Sequence, residues 1–270
     1  MPATQEAAAT FRNLHRQGVL LLANVWDAGT ARLVESLGAK AIATTSAGVA
    51  WSLGYPDGDH LPVATLADAV AGIARVLRVP LTVDMESGYS DDPAIVGEHI
   101  ARLIDAGAVG INIEDGSHEP ALLCTKIERI KSTCARLGVD LFVNARTDVY
   151  LAGLAPQERR VEETLARAQR YRESGTDGLF VPGVVDGDEI RTIAGSAGLP
   201  LNVLARPSLP PAAELERLGV RRLSAGASIS QSAYARTGAL ARDFLRDGAS
   251  AALGEDAMPY SDVNALFATA

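Results

Sequence analysis

The chain has 270 residues, 47% of them hydrophobic, and a formal net charge of −8, enough apolar material to bury a sizeable core. The acid excess, with a pI near 5.1, argues against a nucleic-acid binder that needs a concentrated basic surface. No uniformly apolar run approaches membrane-spanning length, and the start Met1-Pro2-Ala3-Thr4-Gln5-Glu6 lacks the basic and apolar segments of a secretory signal, so a cytoplasmic protein is expected.

Residues 4–17 predict an extra helix suited to plugging the bottom of a barrel. Short β-branched apolar runs then alternate with longer amphipathic stretches, the pattern of parallel βα units. The strand-like runs are 19–25, 39–44, 81–85, 110–114, 140–145, 178–182, 201–205 and 221–225. The intervening helical stretches are 28–37, 63–77, 93–106, 122–137, 156–174, 188–197, 211–218 and 228–246. Gly38, Gly107, Gly138, Gly175, Gly198 and Gly219 stand where helices end, because a left-handed cap is cheapest without a Cβ. Eight such units in this length fit an α/β (β/α)8 TIM-type barrel, here a single domain over 1–270 with a tail over 254–270. A short helix is expected at 262–267, where Leu266 and Phe267 need a partner surface. Neither a G-x-x-x-x-G-K-[ST] nor a G-x-G-x-x-G motif is present, which disfavours a nucleotide-binding sheet.

Cys124 and Cys134 fall in one predicted helix, about 15 Å apart, too far for a disulfide. Both read as thiols of a reducing compartment.

In such a barrel the residues that end strands and open the following loops form the active site. They are Asn24, Trp26 and Asp27; Thr45 to Gly48 and Asp57; Asp84, Glu86 and Gly88; Glu114 and Asp115; Arg146 and Asp148; Pro182; Asn202 and Arg206. The acids without spaced His or Cys favour oxygen ligation of a magnesium-like ion, or manganese in its place, over zinc. Magnesium takes few direct carboxylates and retains waters. Asp27 and Asp148 read first as a helix cap or an ion-pair partner. Ser46-Ala47-Gly48 offers a hydroxyl and closely spaced amides for a carboxylate, and Arg146 a planar cation for a carboxylate or oxyanion.

As a set, these residues resemble the isocitrate lyase and phosphoenolpyruvate mutase superfamily over essentially the whole chain. Thr44-Thr45-Ser46-Ala47-Gly48 is similar to its substrate-binding turn and Gly54-Tyr55-Pro56-Asp57 to the acid-bearing loop that follows. Asp84-Met85-Glu86-Ser87-Gly88-Tyr89 resembles its D-x-D-x-G-Y metal motif, with Glu at the second acid. Ile113-Glu114-Asp115 and Asn144-Ala145-Arg146 complete the match. The resemblance implies magnesium held directly by Asp84 and through water by Asp57, Glu86 and Glu114. It implies a small 2-oxo acid or di- or tricarboxylate ligand contacted by Thr44, Ser46, Ala47, Gly48, Asp84, Arg146 and Asn202. It also implies homotetramers, dimers of dimers, with C-terminal helices exchanged between subunits.

The match breaks after Asp115. Lyases of the family carry K-[KR]-C-G-H there, whereas this chain reads Gly116-Ser117-His118-Glu119-Pro120-Ala121-Leu122-Leu123-Cys124-Thr125-Lys126, and Pro182 stands at the family's strand-six Glu or His. Arg146, with His118 as substitute acid or base, are the catalytic candidates. The leading expectation is a magnesium-dependent carbon–carbon lyase acting on a 2-oxo acid or an isocitrate-type hydroxy-tricarboxylate. The alternatives are decarboxylation or hydrolysis of an oxaloacetate-like or phosphonopyruvate-like acid, and a barrel that binds magnesium and a 2-oxo acid with little turnover.

Overall fold

A computed structural model describes residues 4–268. Eight parallel strands form one sheet in the order β1-β8-β7-β6-β5-β4-β3-β2. They are β1 (Leu20–Leu22), β2 (Ile42–Ala43), β3 (Leu81–Asp84), β4 (Gly110–Glu114), β5 (Phe142–Arg146), β6 (Gly178–Val181), β7 (Leu201–Leu204) and β8 (Val220–Ser224). A parallel bridge between Val25 and Thr44 joins the two edges and closes the barrel. The predicted first strand is therefore split, with β1 pairing to β8 and Val25 reaching β2.

The helices are α1 (Gln5–Asn13), α2 (Ala28–Ser36), α3 (Ser46–Ser52), α4 (Val63–Val76), α5 (Pro93–Ala106), α6 (Pro120–Leu137), α7 (Arg160–Glu173), α8 (Gly187–Ser196), α9 (Ala212–Arg217), α10 (Ser228–Asp247) and α11 (Tyr260–Ala265). Asp27, Asp92 and Asp186 cap α2, α5 and α8 through side-chain oxygens that accept backbone N–H groups, satisfying donors that a helix start leaves free. Gly107 and Gly138 end α5 and α6 at φ of 114° and 71°, which a side chain would strain.

The largest core cluster lies between the strands and the helices from α2 to α6, with Leu66, Val70, Ile73, Ile100, Leu103, Ile127 and Ile130 packed on the outer faces of β2 to β5. α1 closes the barrel bottom. Its Phe11 is fully buried and meets Phe142 edge-on at 5.6 Å, while His15 stacks on Phe142 at 4.1 Å. Arg12 anchors the helix to Asp140 at 2.7 Å and Asp177 at 2.8 Å.

The C-terminal elements are the least packed. In α10 only Ser230 is buried, and Tyr234, Phe244 and Leu245 stand exposed. α11 returns to the barrel through Leu266, whose carbonyl accepts Arg32 Nε at 2.8 Å. Among the described residues no helix is long and apolar enough to cross a membrane.

Candidate active site

β3 delivers Asp84 to the rim and the chain then makes a tight loop. Glu86 and Tyr89 adopt positive φ, 50° and 60°, a region costly for residues with a Cβ. Neighbouring elements hold the loop. Glu114 N–H donates to Glu86 O at 2.9 Å, and the buried Lys126 ammonium on α6 donates to Ser87 O at 2.9 Å. His99 Nδ1 lies 3.0 Å from Gly88 O. The conformation turns Glu86 inward, 5% exposed, where it accepts Tyr89 OH at 2.7 Å and the N–H of Asp59.

Asp84 sits half-buried at the centre of the rim. Its N–H donates to Thr44 Oγ1 at 2.9 Å, and its carboxylate accepts the N–H groups of Ser46 and Glu86. Burial pushes its pKa up, with Asp57 adding repulsion, while Arg146 and the two N–H groups oppose the rise. Glu86 is likewise raised by burial and by Asp57 and Asp59. Glu114 is pushed up to about 8 by burial and by Asp84, Asp148 and Glu86, although the Arg146 cation pulls it down. Arg146 meets Glu114 at 2.6 Å and forks onto Asp148 through Nε at 2.7 Å and Nη2 at 2.9 Å. Burial lowers the Arg146 pKa, but these two acids outweigh it and hold the guanidinium charged.

The predicted turn at Ser46-Ala47-Gly48 is the start of α3. Gly48 permits a close approach, since a Cβ there would lie 2.7 Å from Thr45 Cγ2 and 3.0 Å from Trp26 Cβ. Asp57 is exposed on the loop before α4 and acts on Asp84 and Glu86 through charge alone. Asp59, absent from the sequence-derived set, locks that loop to the metal-motif loop. Its carboxylate accepts Ser87 Oγ at 2.5 Å and Tyr89 N at 3.3 Å. The signal for it was Asp57-Gly58-Asp59, a turn presenting two acids.

Asn202 lies inside the barrel, 1% exposed. Its Nδ2 donates to Ser224 Oγ at 3.1 Å and Val203 O at 2.8 Å, and its Oδ1 accepts Asn144 Nδ2 at 3.0 Å. The amide is thus committed to the barrel interior below the rim. Its partner strand brings Phe180 to the mouth, 6.0 Å from the Arg146 guanidinium. His118 is exposed in the turn after β4, where its N–H donates to Asp115 O at 2.9 Å. That turn ends at Pro120, the first residue of α6. Asp27 caps α2 and Asp148 pairs with Arg146.

Asp115 carries a role the sequence did not disclose. It follows Glu114, so its side chain points to the opposite strand face, away from the mouth. There it is fully buried, accepting Asp148 N at 2.9 Å, Arg167 Nη1 at 2.8 Å and Tyr171 OH at 2.6 Å. This fastens the segment bearing Arg146 and Asp148 to α7.

The rim therefore offers an all-oxygen acid set whose pKa values are raised chiefly by burial and further by mutual repulsion. Among the described residues no three His, Cys, Asp or Glu side chains converge into a protein-only coordination shell. The all-oxygen donor set suits magnesium, which is held by one or two carboxylates with water completing its octahedron.

The profile of the family described as Phosphoenolpyruvate phosphomutase matches residues 11–245. The chain is 38% identical over 261 residues to Uncharacterized protein Rv1998c of Mycobacterium tuberculosis (strain ATCC 25618 / H37Rv), covering 95% of each. It is 30% identical over 226 residues to oxaloacetate decarboxylase of Paraburkholderia xenovorans (strain LB400), covering 79% of this chain and 73% of that one. A crystal structure of a phosphonomutase-like protein from Burkholderia cenocepacia J2315 superposes with a TM-score of 0.83 at 42% identity, over 88% of this chain and 99% of the other. The chain is an enzyme of lyase or mutase type and belongs to the phosphoenolpyruvate phosphomutase family, within the isocitrate lyase and phosphoenolpyruvate mutase superfamily.

Proposed function

We propose that the chain is a magnesium-dependent carbon–carbon lyase that decarboxylates a short 2-oxo diacid of oxaloacetate type. The observation that carries this reading is the contrast between the two halves of the rim. The acid and arginine set is assembled, whereas the connection after Asp115 is a short turn running straight into α6, with only the exposed His118 as a candidate proton donor at neutral pH. Cleavage of a hydroxy-tricarboxylate needs a base for the hydroxyl and an acid for the departing carbanion. Decarboxylation needs neither at the bond that breaks. The C3–C4 pair moves into an enolate whose negative charge settles on the C2 oxygen, carbon dioxide leaves, and C3 takes a proton from water or from His118.

Asp84 would hold the ion directly, and Asp57, Glu86 and Glu114 would hold its waters. Bound there, magnesium supplies Lewis-acid stabilisation of the C2 oxygen. Arg146 orients the C1 carboxylate and offsets enolate charge. The Ala47 and Gly48 N–H groups and the Ser46 hydroxyl at the start of α3, with the Thr44 hydroxyl, donate to the distal carboxylate, and Asn202 holds Asn144 below. The 30% identity to an oxaloacetate decarboxylase supports the substrate class. The exposed Tyr234, Phe244 and Leu245 of α10 support assembly as a homo-oligomer in which α10 packs on a neighbouring copy.

Incubation with oxaloacetate, isocitrate, 2-methylisocitrate and phosphonopyruvate, with and without magnesium, tests the reading. Asp84→Ala serves as background for metal-catalysed loss of oxaloacetate. Magnesium-dependent pyruvate and carbon dioxide above that background are expected. Cleavage of a tricarboxylate instead, or tight pyruvate binding with no turnover of any compound, would overturn it.

A further inference from the structure

Arg222 lies in β8 with its side chain inside the barrel, 1% exposed. Its Nη2 donates to Asn112 Oδ1 at 3.0 Å, while Nε and Nη1 have no protein acceptor. The Asn112 and Asn202 side-chain oxygens are already engaged, whereas His15 Nε2, on a neutral ring that feels the Arg222 charge, is buried with no partner. Asn112 Oδ1 also takes Asn144 Nδ2 at 2.9 Å, and Asn202 Oδ1 takes the same amide at 3.0 Å. The one acid whose charge reaches Arg222 is Asp84, at the mouth above.

The interior below Asp84 carries further buried polar atoms and is floored by rings. Thr82 Oγ1 on β3 is buried without a partner. Its register partner Gly110 leaves room beside it, since a Cβ there would come within 3.0 Å of Thr82 Oγ1 and 2.5 Å of Phe11 Cε1. Phe11 forms the floor, its ring centroid 6.0 Å from the guanidinium carbon. A guanidinium enclosed in this way loses its hydration and has no acid in hydrogen-bonding contact, only the more distant charge of Asp84, which is costly. Water would satisfy the free N–H groups and leave the charge.

We propose that the barrel interior holds one small monovalent anion of halide size, seated against Nε and Nη1 of Arg222 and the Thr82 hydroxyl. Those N–H groups and the hydroxyl all donate to it, and its charge neutralises the guanidinium. The surrounding side chains are buried, so the site suits a monatomic ion and not a second substrate. It lies below Asp84 and stands independently of the reaction assigned to the rim.

The test uses the full chain. Crystals soaked in sodium bromide, measured above the bromine edge, are expected to give an anomalous peak within hydrogen-bonding reach of Arg222 Nε or Nη1. In solution, replacing chloride by gluconate at constant ionic strength is expected to lower the wild-type unfolding midpoint by about 3 °C. Arg222→Met is expected to abolish that dependence. Density at the guanidinium without anomalous signal, or a wild-type midpoint indifferent to halide, would overturn the proposal without bearing on the rim chemistry.

Discussion

Arg146 and Glu114 are register partners on adjacent strands, and Arg146 Nη1 donates to Glu114 Oε2 at 2.6 Å on the barrel rim. The same guanidinium forks onto Asp148, so its orientation is fixed before any ligand arrives. Lysine cannot reproduce a planar fork. Arg146→Lys should leave the circular dichroism spectrum unchanged and lower kcat/KM by about 100-fold.

Glu114 gives the rim a pH dependence whose sign follows from its raised pKa. Its carboxyl lies at about 8 in the fold against an ordinary 4.5, so between those values the folded metal-free chain holds a proton that the unfolded chain releases. Stability should therefore fall as pH rises through that window. Metal binding expels the same proton, so apparent magnesium affinity should climb with pH up to about 8. Thermal melts across this range with and without magnesium would show both slopes, and Glu114→Gln should flatten them.

Asp115 sits behind the mouth with both carboxylate oxygens engaged internally. Asp115→Asn removes one of the two carboxylates on Arg167, Glu163 remaining at 2.7 Å, and should cost about 1–3 kcal/mol. Tyr171→Phe removes one bond and should cost about 1–2 kcal/mol. If the network positions Arg146 and Asp148, the milder variant should also lower kcat more than it raises KM, measured below its melting range.

Gly48→Ala introduces a Cβ into contacts of 2.7 Å and 3.0 Å with Thr45 and Trp26. Overpacking of this kind costs about 1–3 kcal/mol. Displacing the start of α3 should raise KM for the diacid more than it lowers kcat.

His118 distinguishes water from a side chain as proton source. If its imidazole protonates the enolate, His118→Gln should depress kcat far more than affinity. An unaffected rate would assign that proton to water.

The βα alternation was legible because period and punctuation agree. α5 (Pro93–Ala106) and β4 (Gly110–Glu114) carry the bounds their periodicity and glycine stops predict. α3 was not, because Ser46-Ala47-Gly48 has weak helix propensity and becomes helical where Gly48 packs on Trp26 and beside Ser230. The rim acids were visible as strand ends. Asp59, Arg167 and Tyr171 were not, since each acts through a partner more than 20 residues away. Arg222 follows Arg221 in a strand and reads as surface charge, yet alternation carries Arg222 into the barrel.

The central claim is that Asp84 anchors a divalent ion to which a 2-oxo acid binds. Calorimetric titration of oxalate, a stable mimic of the enolate, into wild type and Asp84→Ala with and without magnesium tests it most directly. Binding that requires magnesium in the wild type and vanishes in the variant is predicted. Equal, metal-independent binding in both would contradict the account.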